Sequence, residues 1–282
     1  MRKKKELPTA SDRSSLTSVH EGSFTSSPFY VALERALKRR GMKPEELCDA
    51  KDAVERRLLA EYGAMFVASM SVCVPPRCVF RDEEECARFQ TEAEPCAALI
   101  GDESIELQRA PLDALVAARE EAQAEGLDIT PRGGVEAGRR SYADTLRLWG
   151  SRVTPALAHW VERASLAVDE ADRLRKLSSS EQIAAVLREE ERGNFFSKDF
   201  SRTILSSVAA PGASQHLALL AFDAAEFRES RVREILALHG WFQTVLQDLP
   251  HFTFLGVREK ELPARGLKRV EEREQAFWLP DI

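Results

Sequence analysis

Pro211-Gly-Ala-Ser-Gln-His-Leu-Ala-Leu-Leu-Ala-Phe-Asp223 is the stretch on which the reading of this chain turns. It sets His216 and Asp223 seven residues apart in an otherwise small or apolar run. Neither regular element brings the two together. Seven residues span roughly 10 Å on a straight helix, and more than about 20 Å on a straight strand, with the side chains on opposite faces. For both to reach one ion, with metal–ligand bonds of about 2.0–2.2 Å, the chain must turn or bulge between them. A third ligand must then come from elsewhere, and His251, in Gln247-Asp-Leu-Pro-His-Phe-Thr-Phe-Leu-Gly256, is the natural candidate.

Composition sets the frame for that site. The chain has 282 residues, 30% of them charged and 44% hydrophobic, the balance of a soluble globular protein with a substantial core. A net charge of -6 offers no basic field for nucleic acid. No run of 18 apolar residues predicts a membrane span. The residues after Arg2-Lys3-Lys4-Lys5 are polar and rich in Ser and Thr, without the apolar segment of a signal peptide. The expected compartment is therefore the cytoplasm, or the periplasm if an export segment lies outside this sequence. The cysteines, at 48, 73, 78, 86 and 96, all precede the histidine-bearing stretch. Disulfides among them would imply export and reduced thiols a cytoplasmic home. Cys73, Cys78, Cys86 and Cys96 are a conceivable structural zinc set, although no C-x-x-C pair occurs.

The stretch resembles the signature of the zinc D-alanyl-D-alanine carboxypeptidases and dipeptidases, S-x-H-x-x-G-x-A-x-D followed downstream by E-x-W-H. Ser214, His216, Ala221 and Asp223 fall on the first part in register, and His251 on the final histidine. Three positions depart from it: Leu219 stands at the glycine, Asp248 at the glutamate and Pro250 at the tryptophan. The resemblance implies a zinc site made by His216, Asp223 and His251, with Asp248 as the base. Upstream, Arg140-Ser141 matches the family's Arg-Ser pair, with Arg139 in place of tyrosine and Thr145 in place of glutamine. There the arginine holds the substrate's terminal carboxylate, a fit to the bidentate geometry of guanidinium. The implied substrate is a peptide ending in a free carboxylate, D-alanyl-D-alanine or a peptidoglycan stem peptide, contacted by Arg140, Ser141 and Ser214. Leu219, Pro250 and Asp248, the last one methylene shorter than glutamate, favour the rival reading of an inactive member of the fold that binds cell-wall peptide or a protein partner.

The rest of the chain predicts an α+β protein: a small antiparallel sheet flanked by helices, with an N-terminal extension of helix and strand. Residues 1–27 read as a flexible tail, 28–104 as the extension, 105–257 as the zinc-peptidase-like domain and 258–282 as a charged tail whose Phe277-Trp278-Leu279 packs back. Apolar spacing predicts helices over 28–38, 44–62, 80–90, 111–125, 141–161, 166–177, 180–191 and 229–238. Strands are expected within 64–74 and over 105–107, 127–130, 218–222, 242–246 and 252–257. Ser180 is the expected cap of its helix. His239, before Gly240 and Trp241, reads as a structural histidine at a helix end.

Overall fold

The computed structural model describes residues 27–49, 51–272 and 275–282. Apart from Ser27, the expected N-terminal tail lies outside them. The Ser27 hydroxyl accepts from Tyr30 N at 3.4 Å and caps α1 (Pro28–Arg39), which buries Phe29, Leu33 and Leu37 as their spacing predicts. The expected helix over 44–62 is two. α2 (Pro44–Leu47) ends at Cys48, and Asp52 starts α3 (Ala53–Tyr62) by accepting from Val54 N and Glu55 N. Such an aspartate favours initiation over continuation of a helix.

The strands expected within 64–74 do not form. A 3-10 turn spans Gly63–Val67, and every residue from Ala64 to Ala68 is buried, so no face alternates. Arginines satisfy the backbone in place of a neighbouring strand. Arg40 donates to the carbonyls of Val72 (2.6 Å), Ala68 (3.1 Å) and Ser69 (2.7 Å), and Arg265 donates to that of Val67. A short apolar run cannot reveal this, because periodicity alone does not separate a buried strand from a buried irregular segment.

α4 (Glu83–Glu92), capped by Asp82, leads to an antiparallel hairpin of β1 (Cys96–Ile100) and β2 (Glu103–Leu107). The sequence pattern predicts only β2. α5 (Arg109–Ala124) packs on this hairpin. The expected strand over 127–130 is irregular, touching the sheet through a single bridge between Pro131 and Ala224. Then come three helices: α6 (Tyr142–Glu162), α7 (Val168–Arg175) and α8 (Ser179–Glu191). Ser178, not Ser180, caps α8, because its hydroxyl and Glu181 form a reciprocal capping box.

The chain then enters the central sheet, ordered β3 (Ala221–Asp223), β5 (His251–Phe254), β4 (Trp241–Phe242), with α9 (Ser230–Leu238) between β3 and β4 in sequence. All pairings are antiparallel. A last hairpin, β6 (Leu267–Glu272) and β7 (Gln275–Pro280), brings Phe277 and Trp278 back onto the body, where Trp278 N donates to Gln243 O at 2.8 Å. The fold is α+β, as composition and pattern predict. Its main apolar core runs from Phe29 and Leu37 through Phe89 and Leu115 to Phe222, Phe252 and Trp278. The segment 28–104 therefore shares its core with the sheet. A second apolar cluster lies under α6, α7 and α8.

The turn between His216 and Asp223 is the feature that positions the site. A 3-10 turn, Gln215–Ala218, ends at Leu219 with φ 58° and ψ 31°, in the left-handed region. This is the position where the resembled signature has glycine. The left-handed conformation costs a side chain roughly 1–2 kcal/mol, while full burial of the leucine contributes about 1.5–3 kcal/mol. Burial offsets strain, which explains a leucine at this place. Both Leu219→Ala and Leu219→Gly should therefore destabilise the protein, but glycine less than alanine by about 1 kcal/mol, a Tm gap of about 2 °C. Thermal melts ranking alanine above glycine would contradict the left-handed turn.

Candidate metal centre

Register and turn together bring the predicted residues to one point. Asp223 and His251 are direct partners across β3 and β5. The turn at Gln215–Leu219 swings His216 onto the same spot. His216 Nε2 lies 3.2 Å from His251 Nδ1 and 3.3 Å from Asp223 Oδ1, and His251 Nδ1 lies 3.2 Å from the same oxygen. Donor atoms bonded to a tetrahedral zinc at about 2.0–2.1 Å sit about 3.3–3.4 Å from one another. The triangle has the size of one face of that coordination shell.

The protonation pattern sharpens this. His216 Nδ1–H donates to the Gly138 carbonyl at 2.7 Å, which leaves Nε2 as a bare lone pair. His251 Nε2–H donates to Gln215 Oε1 at 2.7 Å, which in the neutral ring leaves Nδ1 as the lone pair. Gln215 is oriented unambiguously, since its Nε2 donates to the Tyr62 carbonyl at 2.9 Å and Thr253 Oγ1 donates to its Oε1 at 2.5 Å. Two imidazole lone pairs and a carboxylate oxygen thus converge with no proton to share, an arrangement that a cation stabilises and a neutral interior does not. These outer partners are the usual way a histidine ligand is held in one tautomer. The set is compatible with a metal ion.

Charge follows from the surroundings. Burial, and after it the nearby Arg140 charge, lowers His216 to about 4, so the ring is neutral at pH 7. Burial pushes the Asp223 carboxyl up, and the Arg140 guanidinium on its Oδ2 pulls it down. Asp248 is pushed up to about 6, chiefly by burial and further by Asp223, against His251 and Arg140. Its loop is strained into place: Gln247, just before it, has φ 69° and is tied by side-chain hydrogen bonds to Arg202 and Glu272.

A cleft of about 400 Å³ opens on the triad, with Asp248, Pro250 and Ser214 in its walls. Ser214 is buried and its hydroxyl accepts from His216 N at 3.4 Å. Arg140 also lines the cleft, but its Nη2 grips Asp223 Oδ2 at 2.5 Å and its Nε donates to Glu136 O at 3.0 Å. Of the fork expected to receive a substrate carboxylate, one nitrogen is thus taken by the Asp223 carboxylate and one by a backbone carbonyl. Ser141 is outside the cleft. It is the N-cap of α6, in a capping box with Asp144, so the substrate contact expected of it is replaced by a structural role. His239 ends α9 and meets Glu121 at 2.9 Å, a structural histidine as read. Cys73, Cys86 and Cys96 join no metal-sized cluster among the described residues.

Several participants carry no sequence signal. Gln215, Gly138, Thr253 and Tyr62 act through atoms that only folding brings near, and Arg132 and Arg152 reach the cleft from a loop and from α6. Gln215 alone was findable in principle, lying between Ser214 and His216. Comparison of the chain with protein-family models, with curated proteins and with solved structures returns no match.

Replacing Gln215 by Leu removes the acceptor that fixes the His251 tautomer while leaving all three ligands. Affinity for zinc, measured by competition with a chromophoric chelator, should fall about 10–100-fold. His216→Ala should abolish binding at this site. Unchanged affinity in Gln215→Leu would mean that the His251 orientation is set by something else.

Proposed function

We propose that the chain is a zinc-dependent peptidase acting on the amide of a peptide that ends in a free carboxylate, with D-alanyl-D-alanine or a peptidoglycan stem peptide as the leading substrate. The observation that carries this reading is the convergence of three unprotonated donors beside a partly buried carboxylate in one open cleft. It supports the resemblance of the His216, Asp223 and His251 pattern to the zinc D,D-peptidases. Zinc held there supplies Lewis acidity toward a carbonyl and acidifies water at neutral pH.

The chain's own residues do the rest. Asp248, with its affinity for a proton raised by burial, is suited to accept one from water and pass it to the departing amine. Arg140 holds Asp223 in place and offsets its charge. A guanidinium left for a substrate carboxylate is that of Arg152, which is anchored by the hydroxyls of Ser207 (2.9 Å) and Ser151 (3.0 Å) and forms no ion pair among the described residues. Arg132 adds a third positive charge to the cleft, its guanidinium 5.3 Å above the Phe227 ring. Arg152 and Arg132, neither of them ion-paired among the described residues, favour an anionic substrate.

A second reading, a binding protein of the same architecture, is favoured by one observation: an aspartate stands where the resembled signature has glutamate. A reach shorter by about 1 Å can cost about a hundredfold in rate. The zinc-loaded protein assayed on D-alanyl-D-alanine and on stem peptides separates the two. Asp248→Ala should keep its zinc and lose about 10²–10⁴-fold in rate. Arg152→Ala should raise KM for free-acid peptides and leave C-terminally amidated ones, already poor substrates, unaffected. Full zinc occupancy with no turnover of any such peptide by the wild type would remove the enzyme reading and leave the binding one.

A further inference from the structure

A second cluster of donors lies away from the cleft. Cys48 Sγ, a Glu55 carboxylate oxygen and Cys78 Sγ all lie within 4.8 Å of one another. They come from three pieces of chain: the residue that ends α2, the first turn of α3 and the irregular segment before α4. The approach is built into the backbone, because Cys78 N donates to the carbonyl of Leu47, the neighbour of Cys48, at 2.7 Å. Both cysteines are buried, at 2% and 5% exposure. Glu55 Oε2 is aimed by the backbone N–H of Asp49 at 2.6 Å and sits 3.7 Å from Cys78 Sγ.

We propose that Cys48, Glu55 and Cys78 bind a thiophilic divalent ion, zinc in class, as a structural site separate from the histidine centre. Two buried thiols could equally be small apolar core residues or a disulfide pair, and the carboxylate decides between these. A carboxylate beside two thiols adds a third potential anion, which opposes thiolate formation unless a cation lies between them. With no cation present the carboxylate has, among the described residues, only the Asp49 N–H and one weak S–H donor, that of Cys78. Thiolate and carboxylate oxygen on one tetrahedral zinc, at about 2.3 and 2.0 Å, lie about 3.5 Å apart, close to the 3.7 Å found. The Asp49 N–H fixes the Glu55 oxygen in the manner of an outer-shell partner.

The consequence is mechanical. Glu55 stands at the start of α3, and Tyr62 at its end holds Gln215 through its carbonyl and lines the cleft. An ion at one end of α3 staples the helix whose other end supports the histidine centre. This inference does not depend on the peptidase reading, since the ligand sets share no residue.

Cobalt substitution tests it on the full reduced chain. Cobalt bound to thiolate gives a near-ultraviolet charge-transfer band that imidazole and carboxylate do not. The wild type should take up two equivalents of zinc or cobalt and show the band. His216→Ala should take up one and keep the band, whereas the Cys48→Ser, Cys78→Ser double variant should take up one and lose it. Should the double variant fail to fold, Glu55→Gln keeps both thiols and should weaken the thiolate-bound cobalt at least about tenfold. A band that survives in the double variant, a band equally strong and equally tight in Glu55→Gln, or thiol titration finding Cys48 and Cys78 joined as a disulfide in protein purified without reductant, would each overturn the proposal.

Discussion

Three lone pairs that point at one another without a proton between them are the constraint on which this structure is organised. His216 and His251 each give their only N–H to an outer acceptor, Gly138 O and Gln215 Oε1, and Asp223 presents a carboxylate oxygen to both bare nitrogens. Buried polar atoms normally meet donors with acceptors. The exception here is a built one, since each ring is locked in the tautomer that turns its lone pair inward. The Arg140 guanidinium on the far oxygen of Asp223 offsets part of the repulsion and keeps the carboxylate ionised.

Holding that arrangement recruits residues from nearly the whole chain, and buried glutamines do much of the joining. Gln90, on α4, donates to the carbonyls of Arg140 and Leu217. Gln108, just before α5, donates to those of Cys73 and Ala218 and accepts from Cys73 N. Gln215 links His251 and Thr253 to Tyr62. A side-chain amide offers two donors and an acceptor, so it can satisfy irregular backbone that no strand or helix pairs. Each such bond contributes only about 0.5–1.5 kcal/mol net, but leaving its partner unsatisfied in the core costs about 1–3 kcal/mol. These contacts make the segment from 28 to 104 the floor of the site, joined to it by both a common apolar core and this network.

Much of this was legible in the residues. The helices of 28–39, 109–124, 142–162 and 179–191 follow from apolar spacing, and the need for a turn between His216 and Asp223 follows from their separation alone. The placement of His251 as third member was readable from pattern, and the register of Asp223 against His251 realises it. The hairpin partner β1 was not readable. Its Cys96-Ala-Ala-Leu-Ile100 lacks the β-branched and aromatic residues that mark strands, and pairing with β2 is what makes it one. The run 64–74 misled for the opposite reason, being rich in strand-forming residues whose carbonyls are taken by Arg40 and Arg265.

The sequence by itself determined the α+β class and the order of most helices, because these depend on residue type and local spacing, and a family resemblance pointed to the three donors of the candidate centre. Only the tertiary structure decided the tautomers of the two histidines, the engagement of Arg140 with Asp223, the retirement of Ser141 to a helix cap and the meeting of Cys48 with Glu55 and Cys78. Each rests on a hydrogen bond or close approach between distant segments, many through backbone carbonyls that every residue carries alike. A carbonyl has no identity in a sequence, and it acquires a role only when the fold places it opposite a particular donor.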